Sequence, residues 1–488
     1  MKTNFLRQRF PKAIKRWALP LAITAFLWFT RSNEITVVQL SLAFFLLCVP
    51  WQAYINWKTN TKSYLPLFAM VTFMYWLYYV LPLFWEPQTI SEVSTPLGRE
   101  LSQSSITKSL WMVALGVSSL WMGIRVGVGR RLAPRRLSIE LPQSRRTYIR
   151  AVLAVGCLLN FYDVSPYTLG EGGRQLINLL LAVVPMLAFA VLFHSYLKRE
   201  ATYVDKVLML AFLVTRLFNG FSSGWLGVSM SLIMMCGVIF LADRRRLPAF
   251  GLIAVVLLVL FFQVGKEEFR NVYWKEGTQA GRIERTTFWM QASMQKWLAV
   301  WDDPSGQALK DAVTPSVSRV SLLNQTADVI ELTPSVVPYQ YGRLYSYLGV
   351  TLIPRFLWPN KPSMNEANQF YQVAYDLTTE DELSRVSIAV GTLTEGYINF
   401  SWPGALGIMF LLGVFFDFFQ STFLLAKSGP LLKAIGVVLL LPFLAIESQL
   451  AQYLGGIIQE VVVVFIVMLP AVRITRSFGR FPVLQPQQ

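Results

Sequence analysis

Apolar runs of about the length of a membrane-spanning helix recur along most of this 488-residue chain. Crossing the hydrocarbon core of a bilayer takes about 20 consecutive, mainly apolar residues in a helix. The composition agrees with that pattern, because 54% of the residues are hydrophobic and only 15% are charged, against about 25% charged in soluble domains. The chain is therefore neither disordered nor an ordinary cytosolic enzyme. We expect an all-α, polytopic membrane protein.

The apolar runs predict about twelve transmembrane helices. Trp17–Thr30 is short and follows a basic N-terminus, but no small-residue cleavage site comes after it, so it is counted as a span rather than a signal peptide. The expected spans are Trp17–Thr30, Ile35–Trp57, Leu65–Trp85, Leu110–Val128, Tyr148–Phe161, Leu176–Tyr196, Val207–Phe221, Trp225–Ala242, Leu247–Val264, Trp402–Ala426, Ala434–Ile446 and Leu454–Val472.

The charge distribution predicts which side of the membrane each connecting segment occupies. The chain carries 44 Lys and Arg against 28 Asp and Glu, a net charge of +16. When the segments are numbered alternately from an inside N-terminus, most of the cations fall in the inside set, and every inside segment is net positive. This is the positive-inside pattern of membrane proteins. Both termini are expected in the cytoplasm, and the net charge indicates topology rather than nucleic-acid binding.

One connecting segment, Gly265–Ser401, is much too long to be a simple connector. Segments of this length without spanning runs usually carry function, and by alternation this one faces the periplasm. The expected organisation is a first transmembrane bundle over residues 1–264, a mainly helical periplasmic domain over residues 265–401, and a last bundle with a cytoplasmic tail over residues 402–488.

Two helices are expected early in the long segment. Gly277–Trp301 has an apolar stripe at helical spacing, which suits either a helix on the membrane surface or packing on the segment's own core. Val317–Ile330 is predicted to be a second helix with its apolar face in a core.

A proline-rich and aromatic stretch, Pro338–Pro362, contains three cations: Arg343, Arg355 and Lys361. Arg355 lies between Pro354 and an apolar run. A cation in such a poorly hydrated frame needs an anion. The anion can be the phosphate of a lipid-linked substrate, but a structural ion pair or an arginine that reaches toward water explains the residue equally well.

The long segment ends with an acidic candidate. Glu395 and Tyr397 come just before a predicted span, in the sequence GTLTEGYINFSWPG. A carboxylate placed against aromatic residues is suited to act as a general base. It is equally suited to cap a helix or to pair with an arginine. Two further cations, Arg216 and Arg270, lie near the outer ends of their spans and are functional candidates because an arginine there is costly.

Several catalytic signatures are missing from the sequence. There is no phosphate-binding GxxxxGK[ST] loop, no HExxH motif and no paired-cysteine metal spacing. The single histidine, His194, falls at the inner end of its predicted span. No cofactor and no metal are expected, and no Ser-His or Cys-His nucleophile can be built on the periplasmic side.

The arrangement resembles the Wzy-type O-antigen and exopolysaccharide repeat-unit polymerases. The resemblance rests on many spans with short loops, one large late periplasmic loop, and a Tyr/Gly-containing stretch that leads into IPRFLWPNKP and is followed by EGYINF before the next span. It is strongest over residues 265–404 and only architectural elsewhere.

The resemblance implies a glycosyl transfer at the periplasmic face of the bacterial inner membrane. Such polymerases transfer a glycan chain from undecaprenyl diphosphate to the free end of another lipid-linked repeat unit, and undecaprenyl diphosphate leaves. The donor phosphate bond supplies the energy, so neither nucleotide nor metal is needed. The implied partners are the undecaprenyl-diphosphate-linked oligosaccharide, the lipid bilayer and a chain-length regulator.

Residue roles follow from this resemblance and from the local chemistry. The essential periplasmic arginines of the family imply roles for Arg355 and Arg270 first, and Glu395 is the candidate base. The expected catalytic residues are Glu395, Arg355 and Arg270. The expected substrate-binding residues are cationic or aromatic, the latter suited to stack on sugar rings: Arg216, Arg343, Lys361, Tyr397, Trp358 and Tyr345.

Other classes of protein stay open. Twelve spans with both ends inside suit a transporter or flippase, although the two halves show no similarity. An O-antigen ligase resembles this layout but uses a histidine in the large loop, and this chain has none there. A lipid-phosphate-sugar glycosyltransferase would lack its usual carboxylate pair in the first outer loop. A non-catalytic export scaffold is the last alternative.

Overall fold

A computed structural model describes residues 3–475, except 61, 96–97, 135–137, 163–169, 276, 352, 354–357, 359–361, 363–364, 384–387 and 471–472. The protein is 77% helical, which confirms the all-α fold class. The strands form only two short antiparallel ribbons, β1 (Thr89–Ile90) with β2 (Arg99–Glu100), and β3 (Ser138–Glu140) with β4 (Arg473–Thr475).

Twenty α-helices make up the described fold. In chain order they are α1 (Thr3–Thr30), α2 (Val37–Thr59), α3 (Leu67–Tyr79), α4 (Leu81–Trp85), α5 (Gln103–Val126), α6 (Val128–Leu132), α7 (Arg146–Tyr162), α8 (Gly170–Leu197), α9 (Tyr203–Ser223), α10 (Leu226–Arg244), α11 (Ala249–Val264), α12 (Lys266–Arg270), α13 (Arg282–Trp301), α14 (Gln307–Arg319), α15 (Leu323–Leu332), α16 (Tyr347–Thr351), α17 (Glu366–Ala374), α18 (Thr392–Phe423), α19 (Pro430–Leu440) and α20 (Leu450–Met468).

The structure contains helices at all of the apolar runs, and six described helical segments are long and apolar enough to cross a membrane. They are α2, α3 with α4, α5 with α6, α10, α18 and α20. A seventh is obtained if α11 is counted together with the helical segment after it, to which it is bent by 55°. These segments indicate a membrane protein, and the expected count of twelve stays a prediction.

The segments expected on the cytoplasmic side contact one another at one end of the bundle. Tyr64 donates a hydrogen bond of 2.9 Å to Asp243. Arg146 and Arg150 pair with the buried Asp205 at 2.6 and 2.8 Å. The β3–β4 ribbon joins residues 138–140 to residues 473–475 at the same end. We call this the cation-rich end, because the segments there carry most of the lysines and arginines.

The segments expected on the periplasmic side contact one another at the opposite end. Arg99 on β2 pairs with Glu92 at 2.8 Å, with Glu331 at 3.1 Å, and with the fully buried Asp328 of α15. Tyr371 also donates to Asp328, at 3.4 Å. The short loop around β1 and β2 is thereby held on the helices of the long segment.

Helices α5 and α18 pack closely against each other, and glycines allow their backbones to approach. A Cβ atom added at Gly123 would lie 2.1 Å from the carbonyl oxygen of Phe410, and one at Gly413 would lie 2.2 Å from that of Leu120. Small residues at a helix crossing are typical of membrane bundles. This contact fixes the position of α18, whose N-terminal turns carry the predicted base.

The expected continuous helix over Val317–Ile330 is wrong. The structure has α14 ending at Arg319 and α15 starting at Leu323. The chain turns between them because the backbone N–H of Leu322 donates to the carbonyl of Tyr78 at 2.9 Å, and because the hydroxyl of Ser321 donates to Glu86. Contacts to a distant part of the chain, which the periodicity cannot report, interrupt the helix.

Most of the predicted apolar stripe of α13 is exposed. Ile283, Met290, Met294 and Trp301 are at least half exposed, whereas Trp297 is partly buried and donates to the carbonyl of Phe261 on α11 at 3.3 Å. Trp289, which could widen the stripe, is fully buried against Phe269. Both sequence interpretations of the stripe stay open.

Candidate functional site

Glu395 lies in the first turn of α18 and is completely buried. One carboxyl oxygen, Oε2, accepts a hydrogen bond of 2.8 Å from the backbone N–H of Leu450, at the start of α20. The other oxygen, Oε1, is buried and has no hydrogen-bond partner among the described residues. One oxygen therefore caps α20, as the capping alternative predicted. The other oxygen can accept a proton or a hydrogen bond from a ligand.

The aromatic stretch after Pro338 lies directly against the N-terminal part of α18. The backbone N–H groups of Gln340 and Tyr341 donate to the carbonyls of Ile398 and Asn399, both at 3.0 Å. This pairing brings Tyr345 close to Glu395. The Tyr345 hydroxyl has no hydrogen-bond partner in the described part of the chain, and burial, together with the charge of Glu395, raises the pKa of Tyr345.

Tyr397 packs at a break in α18. Phe400 and Ser401 have non-helical backbone angles, with φ of 58° at Ser401. The ring of Tyr397 lies 6.2 Å from the rings of both Tyr339 and Trp402, and the hydroxyl of Tyr339 donates to Ser401 at 3.1 Å. The expected domain boundary at residues 401 and 402 thus falls at this break, inside one helical element.

The other candidate residues of the proline-rich stretch are either exposed or outside the described residues. Arg343 is exposed, with its guanidinium 6.0 Å from the ring of Phe370. Trp358 is exposed as well. Arg355 and Lys361 lie outside the described residues.

Arg270 lines a cavity of about 590 Å³ at the C-terminal end of α11, which we call the basic cleft. Lys266 and Arg270 are one helical turn apart on α12 and so lie on one face. Their neighbours in the cleft include Lys275 and Lys296, against the acids Glu267 and Asp311. Cations outnumber acids, which makes the cleft suitable for a multiply charged anion.

An ion pair links the basic cleft to the neighbourhood of Glu395. Arg319, at the end of α14, is close enough to Lys266 and Arg270 for its charge to oppose theirs. Its guanidinium holds both carboxyl oxygens of Glu447, at 2.8 and 3.1 Å. Glu447 lies in the turn that leads to Leu450, whose N–H donates to Glu395.

Sequence reasoning missed Lys266, Arg319 and Glu447. The four-residue spacing of Lys266 and Arg270 in KEEFR was a usable signal, because it predicts a shared helix face. The pairing of Arg319 with Glu447 joins residues that are distant in the chain, and no local pattern indicates it.

Arg216 lies on α9 and does not line the basic cleft. Its side chain is partly buried, and its Nε has no hydrogen-bond partner among the residues that the structure describes. Helix α13 packs against α9, but no described hydrogen bond or ion pair joins Arg216 to Glu395 or to the basic cleft.

The candidate site contains carboxyl, phenol and cationic groups but no metal centre among the described residues. No three His, Cys, Asp or Glu side chains converge there in a way that could hold a metal ion. The chemistry available is proton transfer by a carboxyl and stabilisation of an anion by arginine and lysine.

The apolar helices and the helical segment packed on them define an all-α membrane protein. Residues 88–423, more than half of the chain, match a family described as "Domain of unknown function (DUF8712)", and the chain belongs to this family. No curated protein matches the chain, and no solved structure matches it. The matched region contains Glu395, Arg270, Lys266 and Arg319 but ends before Glu447.

Proposed function

We propose that this protein is a membrane glycosyltransferase that polymerises undecaprenyl-diphosphate-linked repeat units into a surface polysaccharide at the periplasmic face of the bacterial inner membrane. The basic cleft carries the proposal. Lys266, Arg270 and Lys275 line this cleft, at the end of the apolar helix α11. The chain of a lipid diphosphate lies in the bilayer and its charged head group lies at the membrane surface, which is where an apolar membrane-spanning helix ends.

The cations of the cleft have a role in bond breaking. In the proposed reaction, the bond between the anomeric carbon of the donor sugar and the diphosphate oxygen breaks, and the electron pair leaves with undecaprenyl diphosphate. Cations that meet this developing charge in a site poor in water stabilise the transition state. Arg270 is suited to hold phosphate oxygens in a bidentate manner.

Glu395 is the proposed general base. The acceptor sugar hydroxyl attacks the anomeric carbon, and its proton passes to the free oxygen Oε1 of Glu395. Tyr345, whose hydroxyl is also without a described partner, is placed to hydrogen-bond the acceptor sugar. The reaction requires diphosphate and acceptor to meet at one carbon atom, so the cleft and Glu395 must face the same bound substrate. Arg319 and Glu447 are the described connection between them.

Alanine substitution of Arg270 and of Lys266 in cells that make the polymer tests the proposal. We expect single repeat units to accumulate on the lipid carrier at the periplasmic face, with the polymer lost. Lys310→Ala is the matched control, because Lys310 is an exposed cation on α14 that does not line the cleft. Full-length polymer in both cleft variants would refute the assignment of the cleft.

The same experiment distinguishes a polymerase from a flippase. A defective flippase leaves lipid-linked units on the cytoplasmic face, where a membrane-impermeant probe cannot reach them. Accumulation there in the Arg270→Ala variant would reject a polymerase in favour of transport.

A further inference from the structure

A second large cavity lies between α2, α3 and α5, three helical segments that are apolar enough to cross a membrane. It measures about 900 Å³ and is open along one side. Its walls are mostly apolar and include Phe45, Ala53, Phe68, Val117, Trp121 and Met122. We call it the inner groove, because it ends at the cation-rich end of the bundle.

The polar lining of the inner groove is concentrated near that end. Gln52, Asn60 and Gln420 contribute there, and Gln420 donates to Ser63 at 2.6 Å. The groove also contains Arg125, in the last turn of α5. Its guanidinium lies 4.8 Å from the centre of the Trp121 ring, it is exposed, and it forms no ion pair with any residue that the structure describes.

We propose that the inner groove binds an anionic glycerophospholipid, with its acyl chains along the apolar walls and its head group at Arg125. Phe45, Trp121 and Met122 are 43%, 46% and 54% exposed, so the walls face the surroundings of the bundle. Within a bilayer those surroundings are lipid, and acyl chains cover apolar side chains without unsatisfied polar groups.

The residues at the polar end of the inner groove, near Arg125, indicate the charge of the lipid head group. Besides Arg125, the exposed cations Lys58 and Lys62 lie on and just after the last turn of α2. Cations at the bilayer surface attract anionic lipids. A net negative head group is therefore preferred over a zwitterionic one with the same acyl chains.

This site is separate from the proposed glycosyltransferase site. Helix α5 starts beside Glu331, to which Ser102 donates at 3.0 Å, and has Arg125 in its last turn. The inner groove and the periplasmic contacts thus lie at opposite ends of the same helix. The inference holds whether or not the proposed polymerase activity is found.

Native mass spectrometry of the full-length protein with added lipid tests the inference. Phosphatidylglycerol and phosphatidylcholine with identical chains are the probes. We expect tighter binding of phosphatidylglycerol, and an affinity loss of about tenfold in Arg125→Gln, equivalent to about 1.4 kcal/mol. Arg131→Gln, which removes an exposed arginine outside the groove, should bind like the wild type.

A second variant tests the apolar part. Ala53→Phe fills the groove and should weaken the binding of both lipids, with a thermal unfolding control to show that it folds. Equal binding of the two lipids by the wild type would overturn the inference, as would an unchanged preference in Arg125→Gln. Binding of undecaprenyl phosphate with no binding of phosphatidylglycerol would also overturn it.

Discussion

At the scale of single residues, Glu395 combines full burial with one oxygen that no described group satisfies. A buried polar atom without a partner costs free energy, so such an atom in a folded protein invites an explanation by function. The hydrogen bond from Leu450 explains only the other oxygen. This asymmetry is the physical reason for assigning proton transfer to Glu395.

Glu395→Gln tests that assignment. The amide keeps an oxygen that can accept from Leu450, so we expect the thermal unfolding midpoint to stay near that of the wild type. It cannot take a proton, so the rate of glycosyl transfer should fall by about 100-fold or more, as expected for removal of a general base. Glu395→Asp, which keeps the carboxyl, is the control. A normal rate in Glu395→Gln would assign Glu395 a capping role alone.

The pKa of the buried Asp328 determines part of the pH dependence of the protein's stability. Burial, only partly offset by the charge of Arg99, raises the pKa of Asp328 to about 7. Glu92 and Glu331 also repel its charge, and Tyr371 donates to it.

The folded protein therefore binds a proton at Asp328 more tightly than the unfolded chain does. The stabilisation that Asp328 contributes is fully present at a pH below the pKa of Asp328 in the unfolded chain. It is lost as the pH rises through the folded-state pKa of about 7. We expect a lower unfolding temperature at pH 8 than at pH 5.5, measured in the same detergent. Asp328→Asn should flatten this dependence, and a slope that is unchanged in the variant would contradict the assignment.

At the scale of elements, the contact between α5 and α18 determines where the candidate base lies. Gly413→Ala should destabilise the protein by about 1–3 kcal/mol, because the added carbon meets a backbone carbonyl and forces the helices apart. Gly407→Ala on the same helix is the matched control, since nothing lies within 4 Å of its added carbon. Thermal unfolding of both variants measures the difference, and equal effects would show that the close approach is unimportant.

The helices were predictable from the sequence, while several of their ends and partners were not. Apolar runs located the helices at the predicted spans, because burial in lipid demands length and composition, which are local properties. They did not locate the short helices of the long segment, such as α12, α16 and α17. The break between α14 and α15 depends on Tyr78 and Glu86, far away in the chain. The Arg319–Glu447 pair is equally non-local. Arg270 and Glu395 were identified as candidates from sequence, whereas their indirect connection became visible only in the structure.

At the scale of the whole molecule, the contacts divide the connecting segments into two ends that agree with the alternation of the charge pattern. Single cysteines test the orientation of these ends, in a background with Cys48, Cys157 and Cys236 replaced. A membrane-impermeant thiol reagent should label Glu100→Cys in cells whose inner membrane is intact. It should label Lys62→Cys only after that membrane is permeabilised. The reverse result would place the basic cleft in the cytoplasm and contradict the proposed reaction.

The most direct measurement is polymerisation by the purified protein in lipid vesicles that contain an undecaprenyl-diphosphate-linked repeat unit. Without nucleotide or added metal, we expect a ladder of longer lipid-linked glycans and one released undecaprenyl diphosphate for each linkage formed. Arg270→Ala and Glu395→Gln should each abolish the ladder, and Lys310→Ala should leave it intact. A wild-type protein that leaves the single repeat unit unchanged, or variants that extend it as well as the wild type, would contradict the account.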